Sequence, residues 1–349
     1  MKAETMKAVV LRGVQDLRVE ELPVPVLRDE EVLIRIRAAG ICGTDVDMWE
    51  GTNQEGTFPF VPGHEWVGEI VSKGKGVKIF SRGDRVVGEC FIPCHQCFSC
   101  RNGLSPALCA NPKYFGFAWE TPGGMAEFHV SPVERLHKVP ENLADDVAVL
   151  VEPVSVVYRA VWGQGGGVAP HDDVVIFGAG TIGLCALLTC KSSGATVIVV
   201  EPRDYRRRKA LELGADRVID PTSEDIVDVV LECTNQYGAS LVIECSGTDQ
   251  AIGKSFEVLA KNGRIILIGH SIGRKVPIEI GRAVWWDARI IGSTDSPYFF
   301  PKTLKFLSPV NRQKMFSQIV THKFRLDDAP SAFQTARDGD KSIKVVLIP

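Results

Sequence analysis

From residue 7 to about 155, the hydrophobic positions fall in short β-rich segments that Gly and Pro cut apart, among them Val32 to Arg37, Glu65 to Val71 and Arg85 to Gly88. Segments of this length and composition predict strands. Many short strands in succession predict an antiparallel, barrel-like domain. From about 172 to 295 the pattern becomes one of apolar runs separated by helical stretches: Val174 to Phe177, Thr196 to Val200, Arg217 to Ile219, Leu241 to Glu244, Arg264 to Ile268 and Arg289 to Ile291. Their connections are mostly long enough for crossovers, which predicts a doubly wound parallel sheet with helices on both faces. Pro297, Pro301 and Pro309 then precede helix-like segments and a last apolar run, Ile343 to Ile348. This return to mixed character predicts that the C-terminus rejoins the first domain. The expected class is α/β, with residues 1–155 and 297–349 forming the β-rich domain and 156–296 the parallel-sheet domain.

A length of 349 residues agrees with two domains, since single cores seldom grow so large. A net charge of −3 gives no electrostatic reason to expect nucleic acid or anionic membrane as a partner, and small neutral or weakly charged ligands fit better. The first residues carry Lys2, Glu4 and Lys7 instead of the apolar run of a secretory signal, and no stretch approaches the ~20 apolar residues of a membrane span. A cytoplasmic protein is expected. In a reducing compartment, the clustering of several of its ten cysteines points to metal or redox chemistry.

The run Val174 to Phe177 is followed by Gly178-Ala-Gly180-Thr-Ile182-Gly183 and then by the helical stretch Leu184 to Ser192. The first glycine permits a tight turn, the second lets the backbone approach a pyrophosphate, and the third allows close packing of helix on strand. The helix N-terminus then faces the anion. Glu201 ends the next strand, 18 residues beyond Gly183, where a carboxylate accepts hydrogen bonds from ribose hydroxyls and repels a 2′-phosphate. That favours NAD. The basic run Arg203, Arg206, Arg207, Arg208, Lys209 leaves NADP open, because arginines beyond this strand can hold the extra phosphate, although such runs more often face water.

Two groups of metal-ligating residue types lie in the first domain. Cys94, Cys97, Cys100 and Cys109 form C-x2-C-x2-C-x8-C, a set of thiolates suited to a closed tetrahedral structural zinc site. Basic residues are sparse there, which excludes a nucleic-acid-gripping ribbon. Cys90 and His95 are spare ligands with no expected role. The second group is dispersed: Gly40-Ile-Cys42-Gly-Thr44-Asp45, Pro62-Gly-His64-Glu65 and Val151-Glu152-Pro153. A thiolate, an imidazole and a carboxylate with one position open are the ligand types of catalytic zinc, but spacing alone does not show that these segments meet.

Taken together and in this order, these motifs closely resemble those of the zinc-containing medium-chain dehydrogenases, over essentially the whole chain. The resemblance implies a GroES-like catalytic domain, an inserted Rossmann domain and an active-site cleft between them. It implies Cys42, His64 and Glu152 as catalytic-zinc ligands and Glu65 as a carboxylate that exchanges with water on the metal or binds it directly. Thr44 matches the hydroxyl that takes the substrate proton, and Asp45 the partner orienting the zinc histidine. Ile182, Glu201 and Arg206 match dinucleotide contacts, with Ile268, His270 and Ser293 at strand ends near the expected nicotinamide position. One catalytic and one structural zinc per subunit, NAD as cofactor, and a homodimer or homotetramer follow as expectations.

Glu152, in place of a second cysteine, resembles the polyol, glucose and threonine dehydrogenase branches. Threonine dehydrogenases typically carry a histidine shortly before the structural cysteines, where this chain reads Glu89-Cys90-Phe91-Ile92. Gly63 to Trp66 and the ending Lys344 to Pro349 are similar to polyol and cyclitol dehydrogenases. The expected reaction is hydride transfer from a secondary hydroxyl of a small polar alcohol to NAD, the metal easing loss of the hydroxyl proton. Asp47, Trp49, Tyr114, Glu127 and Asp295 are candidates for binding neighbouring hydroxyls. The Trp285-Trp286 pair is assigned equally to core or interface. The alternatives are a threonine dehydrogenase, an NADP-linked aldehyde or sugar reductase, and a non-catalytic zinc and nucleotide binder.

Overall fold

The computed structural model describes residues 5–269 and 275–349. The chain divides into two units, one comprising Met1–Glu152, Ser296–Asp338 and Lys344–Pro349, the other Pro153–Asp295 and Gly339–Ile343. The five residues Gly339–Ile343 group with the nucleotide-type unit, an excursion that the hydrophobic pattern does not mark.

In the first unit the strand Glu31–Gly40 is the hub. Val32, Ile34, Ile36 and Ala38 are buried and alternate with less buried Leu33, Arg35 and Arg37, as expected for a strand with one face on a core. It pairs antiparallel with Glu65–Lys73, Phe128–Pro132 and Lys344–Ile348 within a seven-stranded sheet. The sheet is mixed, not wholly antiparallel as predicted, because Val320–Arg325 runs parallel to the C-terminal strand. The helix Ala329–Arg337 between those two strands provides the crossover that parallel pairing needs. Leu11, Ile34, Met48, Phe60 and Phe333 lie in the core of this unit. Pro301 sits in the first turn of the helix Phe300–Leu307 and Pro309 caps Val310–Phe316, so both prolines begin helices.

The second unit holds a six-stranded parallel sheet of Asp173–Phe177, Thr196–Val200, Arg217–Ile219, Ala239–Glu244, Leu259–Leu267 and Arg289–Gly292. Counted along the chain, the strand order is 3-2-1-4-5-6, the doubly wound arrangement whose ligand crevice opens at the carboxyl ends of the central strands. The first two strands, Asp-Val-Val-Ile-Phe and Thr-Val-Ile-Val-Val, are buried from their second residue onward, which accounts for their lack of alternation.

Candidate active site and metal centres

Ligand atoms of Cys42, His64 and Glu65 lie within 4.8 Å of one another. Cys42 is the N-cap of the helix Gly43–Glu50, and Asp45, three residues on, accepts from the Cys42 backbone N–H at 2.8 Å. The same carboxylate accepts from the Gly63 N–H at 3.3 Å, so a single buried side chain ties down the backbone beneath both Cys42 and His64. Asp45 Oδ1 is 3.8 Å from His64 Nδ1, an electrostatic contact too long for the orienting hydrogen bond that the resemblance implies. Burial raises the Asp45 carboxyl above its ordinary value, opposed by His64 and by the Cys42 N–H.

Glu65 begins the strand that follows His64 and stands opposite Gly40 on the hub strand. A Cβ at Gly40 would come within 2.4 Å of Glu65 Oε2, so the absence of a side chain there makes room for the carboxylate. Glu152, in the first turn of the helix Val151–Tyr158, is outside the 4.8 Å group, although its charge is felt at His64. Of the expected residues Cys42, His64, Glu65 and Glu152, the first three thus form the close group. Glu65 supplies the third close donor because it adjoins His64 in the chain, while Glu152 approaches from a separate helix.

Burial acts against charging His64, yet Asp45, Cys42 and Glu152 outweigh it and hold the imidazole well above its ordinary pKa. A cluster of thiol, imidazole and carboxylate, with His64 Nδ1 buried and without a hydrogen-bond partner among the described residues, offers the donor types of a divalent cation such as zinc. Thr44 Oγ1 is 3.7 Å from Cys42 Sγ. Phe117 packs against His64 at 5.7 Å between ring centroids, and Tyr114 packs on Phe117 at 5.5 Å.

The second metal-type group is the lobe cysteines. Cys94, Cys97, Cys100 and Cys109 are free thiols whose sulfurs lie within 4.8 Å of one another, Cys97 and Cys100 at 3.5 Å. That separation is near the ~3.8 Å edge of a tetrahedron with Zn–S bonds of ~2.3 Å. Backbone N–H groups of Ala110 and Cys100 lower the Cys97 thiol to about 6, which favours the thiolate that binds metal. Cys90 and His95 stand outside the group, with His95 exposed beside Glu134.

In the other unit, Gly178 has φ 92° and turns the chain away from its strand, while Gly180 is the N-cap of the helix Thr181–Lys191. A Cβ on Gly183 would lie 1.9 Å from the Gly178 carbonyl oxygen, so no other residue fits there. Glu201 is buried and accepts from Ala179 N–H at 2.7 Å and Arg203 N–H at 3.0 Å. Its carboxylate is therefore fastened to the glycine turn. Arg206 approaches Gly180 and Gly339, and its pKa is lowered by burial and by Arg203, against the pull of Glu201. Ile182 and Ile268 are half-buried. Ser293 is buried at the end of its strand, with Arg159 donating to Ser293 Oγ at 3.4 Å and to the Thr294 carbonyl at 2.6 Å. His270 lies outside the described residues.

The candidates for binding neighbouring hydroxyls fare unevenly. Trp49 is a core residue packed edge-on against Phe333, Asp47 points to solvent, and Glu127 accepts from the Lys7 N–H. Tyr114 reaches His64 through Phe117, and Asp295 takes a positive φ beside the Arg159 contacts. Trp285 is exposed while Trp286 packs against the sheet core. Sequence reasoning missed Lys344. It is buried at the start of the C-terminal strand, and its ammonium donates to Glu65 Oε2 at 2.5 Å and to the Ile41 carbonyl at 2.9 Å.

The alcohol dehydrogenase GroES-like domain family matches residues 28–141, and the zinc-binding dehydrogenase family matches residues 181–308. A sorbitol dehydrogenase of Halalkalibacterium halodurans is 32% identical over 99% of both chains. An L-threonine 3-dehydrogenase of Pyrococcus furiosus is 34% identical over 94% of both. Among solved structures, a protein of Sinorhizobium meliloti assigned as a zinc-binding dehydrogenase, with NADP bound, superposes with a TM-score of 0.89 at 28% identity, covering 99% of this chain and 100% of its own. These matches span both units. The chain belongs to the zinc-containing medium-chain dehydrogenase superfamily and is an alcohol-dehydrogenase-type oxidoreductase.

Proposed function

We propose that the protein oxidises a secondary hydroxyl of a polyol, cyclitol or sugar with NAD, using zinc held by Cys42, His64 and Glu65, with Glu152 as the reserve ligand, and a second, structural zinc held by the four lobe cysteines. The observation that carries this reading is the convergence of Cys42, His64 and Glu65 beside the Thr44 hydroxyl. When bound, zinc supplies Lewis acidity to the substrate hydroxyl, and NAD accepts the hydride. Thr44 is the proton acceptor, its hydroxyl next to the Cys42 sulfur. Asp45 keeps the Cys42 and His64 backbones in register, so that the ligands need not reorganise during turnover. Phe117 and Tyr114 wall the imidazole, and Tyr114 offers a hydroxyl to a neighbouring substrate oxygen.

In the nucleotide unit, Gly178, Gly180 and Gly183 bring the backbone up to the pyrophosphate. Ile182, Ile268 and Ser293 line the route to the nicotinamide, Glu201 takes the adenosine ribose, and Arg206 flanks it. Glu201 supports NAD over NADP because its buried carboxylate is locked in place by two N–H groups and would meet a 2′-phosphate with like charge. Threonine is the second reading, favoured by the 34% identical relative. The lack of a histidine between Glu89 and Ile92 weighs against it.

A cytoplasmic setting suits four reduced thiols in one lobe, and no helix among the described residues is long and apolar enough to cross a membrane. Assembly into a closed homodimer or homotetramer is supported by Arg289–Gly292, the edge strand of its sheet among the described residues, and by the exposed Val284 and Trp285 shortly before it in the chain.

The reading is tested by following NADH formation from polyols, cyclitols, aldoses, threonine and simple alcohols, with NAD and NADP in parallel and a chelator control. Chelator-sensitive, NAD-selective turnover of a vicinal polyol or cyclitol is expected. Turnover of threonine alone would replace the substrate class, and turnover with NADP alone would replace the cofactor.

A further inference from the structure

The helix Val151–Tyr158 runs on into one widened turn, Arg159–Gln164, where the Gly165 N–H donates to the Ala160 carbonyl five residues back at 2.8 Å. Turns of this π type are rare and frequently accompany functional sites. This one begins at Arg159, a half-buried side chain to which the mechanism above gives no role. Its Nη1 donates to the Thr294 carbonyl at 2.6 Å, to Ser293 Oγ at 3.4 Å and to the Asp295 carbonyl at 3.5 Å. Burial lowers the Arg159 pKa, opposed by the charge of Asp295. Asp295 takes φ 52°, a left-handed conformation that a residue with a side chain keeps where its surroundings hold it.

We infer that Arg159 is a positioning residue for the nicotinamide half of the dinucleotide, holding Ser293, Thr294 and Asp295 in the shape that receives it. This rests on the proposed placing of the nicotinamide beside Ser293. The three residues follow the strand Arg289–Gly292 at its carboxyl end, the side of a doubly wound sheet on which the ligand crevice opens. Ser293 N–H still donates to the Leu267 carbonyl of the neighbouring strand at 3.0 Å. Thr294 and Asp295 lie past that contact, and their carbonyls take the Arg159 guanidinium in place of a strand. A nicotinamide carries a carboxamide with two donors and an acceptor, and only polar groups that are themselves fixed can orient it. The ADP-ribose half is received by the glycine turn and by Glu201, which is fastened by the Ala179 and Arg203 N–H groups. Loss of Arg159 therefore weakens one half of the cofactor's site and spares the other, whereas loss of an arginine that merely stabilises the fold would weaken both.

The test is calorimetric titration of the zinc-loaded full-length protein with NADH and with ADP-ribose, which lacks the nicotinamide. Arg159→Leu is expected to weaken NADH binding by roughly ten-fold, the worth of one hydrogen bond to a charged group, to leave ADP-ribose affinity at the wild-type value, and to lower kcat. Arg159→Lys keeps the cation and a donor for the Thr294 carbonyl, and recovers part of the NADH affinity. Asp295→Gly loosens the same segment with Arg159 in place, since glycine accepts φ 52° without being held there. It gives the same selective loss, so the comparison survives if Arg159→Leu folds poorly. Unchanged NADH affinity in Arg159→Leu, or an equal loss of NADH and ADP-ribose affinity, overturns the inference. Wild-type protein that binds neither compound refutes the cofactor reading itself, a distinguishable result.

Discussion

His129 offers a stability experiment whose sign and size follow from its surroundings. It lies in the strand Phe128–Pro132, 1% exposed, between the rings of Trp66 at 5.0 Å and Phe115 at 5.1 Å. Neither ring nitrogen has a hydrogen-bond partner of ordinary geometry among the described residues. Burial therefore favours the neutral imidazole and lowers its pKa from 6.5 to about 4, with only a small opposing effect from the Gly123 backbone. Because the folded value lies below the unfolded one, His129 leaves stability intact above the unfolded pKa. As the pH falls from 6.5 toward 4, the unfolded chain takes up a proton that the folded chain refuses, and stability is lost. Linkage over this interval gives a loss of about 2 kcal/mol between roughly pH 7.5 and pH 5, approaching about 3 kcal/mol below pH 4. His129→Leu removes the titrating group while keeping an apolar side chain of similar bulk.

Denaturant unfolding of wild type and His129→Leu at both pH values isolates the effect, since every other titrating group cancels in the difference. The variant should gain about 2 kcal/mol on wild type between the higher and the lower pH, or roughly 4–8 °C in melting temperature for a domain of this size. A wild-type-minus-variant difference that does not change with pH would refute the reasoning and show that His129 can charge within the fold.

Three further outcomes follow from the two metal centres and the nucleotide turn. Cys42→Ala should abolish turnover with the melting curve retained, while Cys97→Ala should lower the melting temperature or hinder assembly; equal stability loss and equal residual activity in both would remove the two-site assignment. Gly183→Ala places a methyl 1.9 Å from the Gly178 oxygen and should abolish dinucleotide binding in a fluorescence titration, with zinc content unchanged. Retained binding would show that the turn relaxes at little cost. Glu201→Ala should weaken NAD and narrow the NAD-to-NADP ratio of kcat/KM by at least roughly ten-fold, the effect of removing one charged hydrogen-bond acceptor; an unchanged ratio would pass cofactor choice to Arg203 and Arg206.

What could be read from the sequence divides along the separation of the interacting groups. The strands of the parallel sheet announce themselves as apolar runs, most clearly the inner ones, which are buried along nearly their whole length, and the glycine turn and the cysteine lobe are legible because their members lie close together in the chain. Cys42, the adjacent pair His64 and Glu65, and Glu152 come from three separate segments, and only the family resemblance joined them. The resemblance left open whether Glu65 or Glu152 is the nearer carboxylate; Glu65 stands in the close group, opposite Gly40 on the hub strand. Lys344 lies 279 positions from Glu65, beyond any local pattern. The trace it leaves is a violation: a lysine opening an otherwise apolar strand, where charge belongs only if a partner is buried with it. The partner must be an acid that is itself unexplained by its own strand, and Glu65, ahead of Trp-Val-Gly, is such an acid. A pair of charges that each break the pattern of their own element is thus a sign of a site assembled at long range, as the buried contact of Lys344 with Glu65 is here.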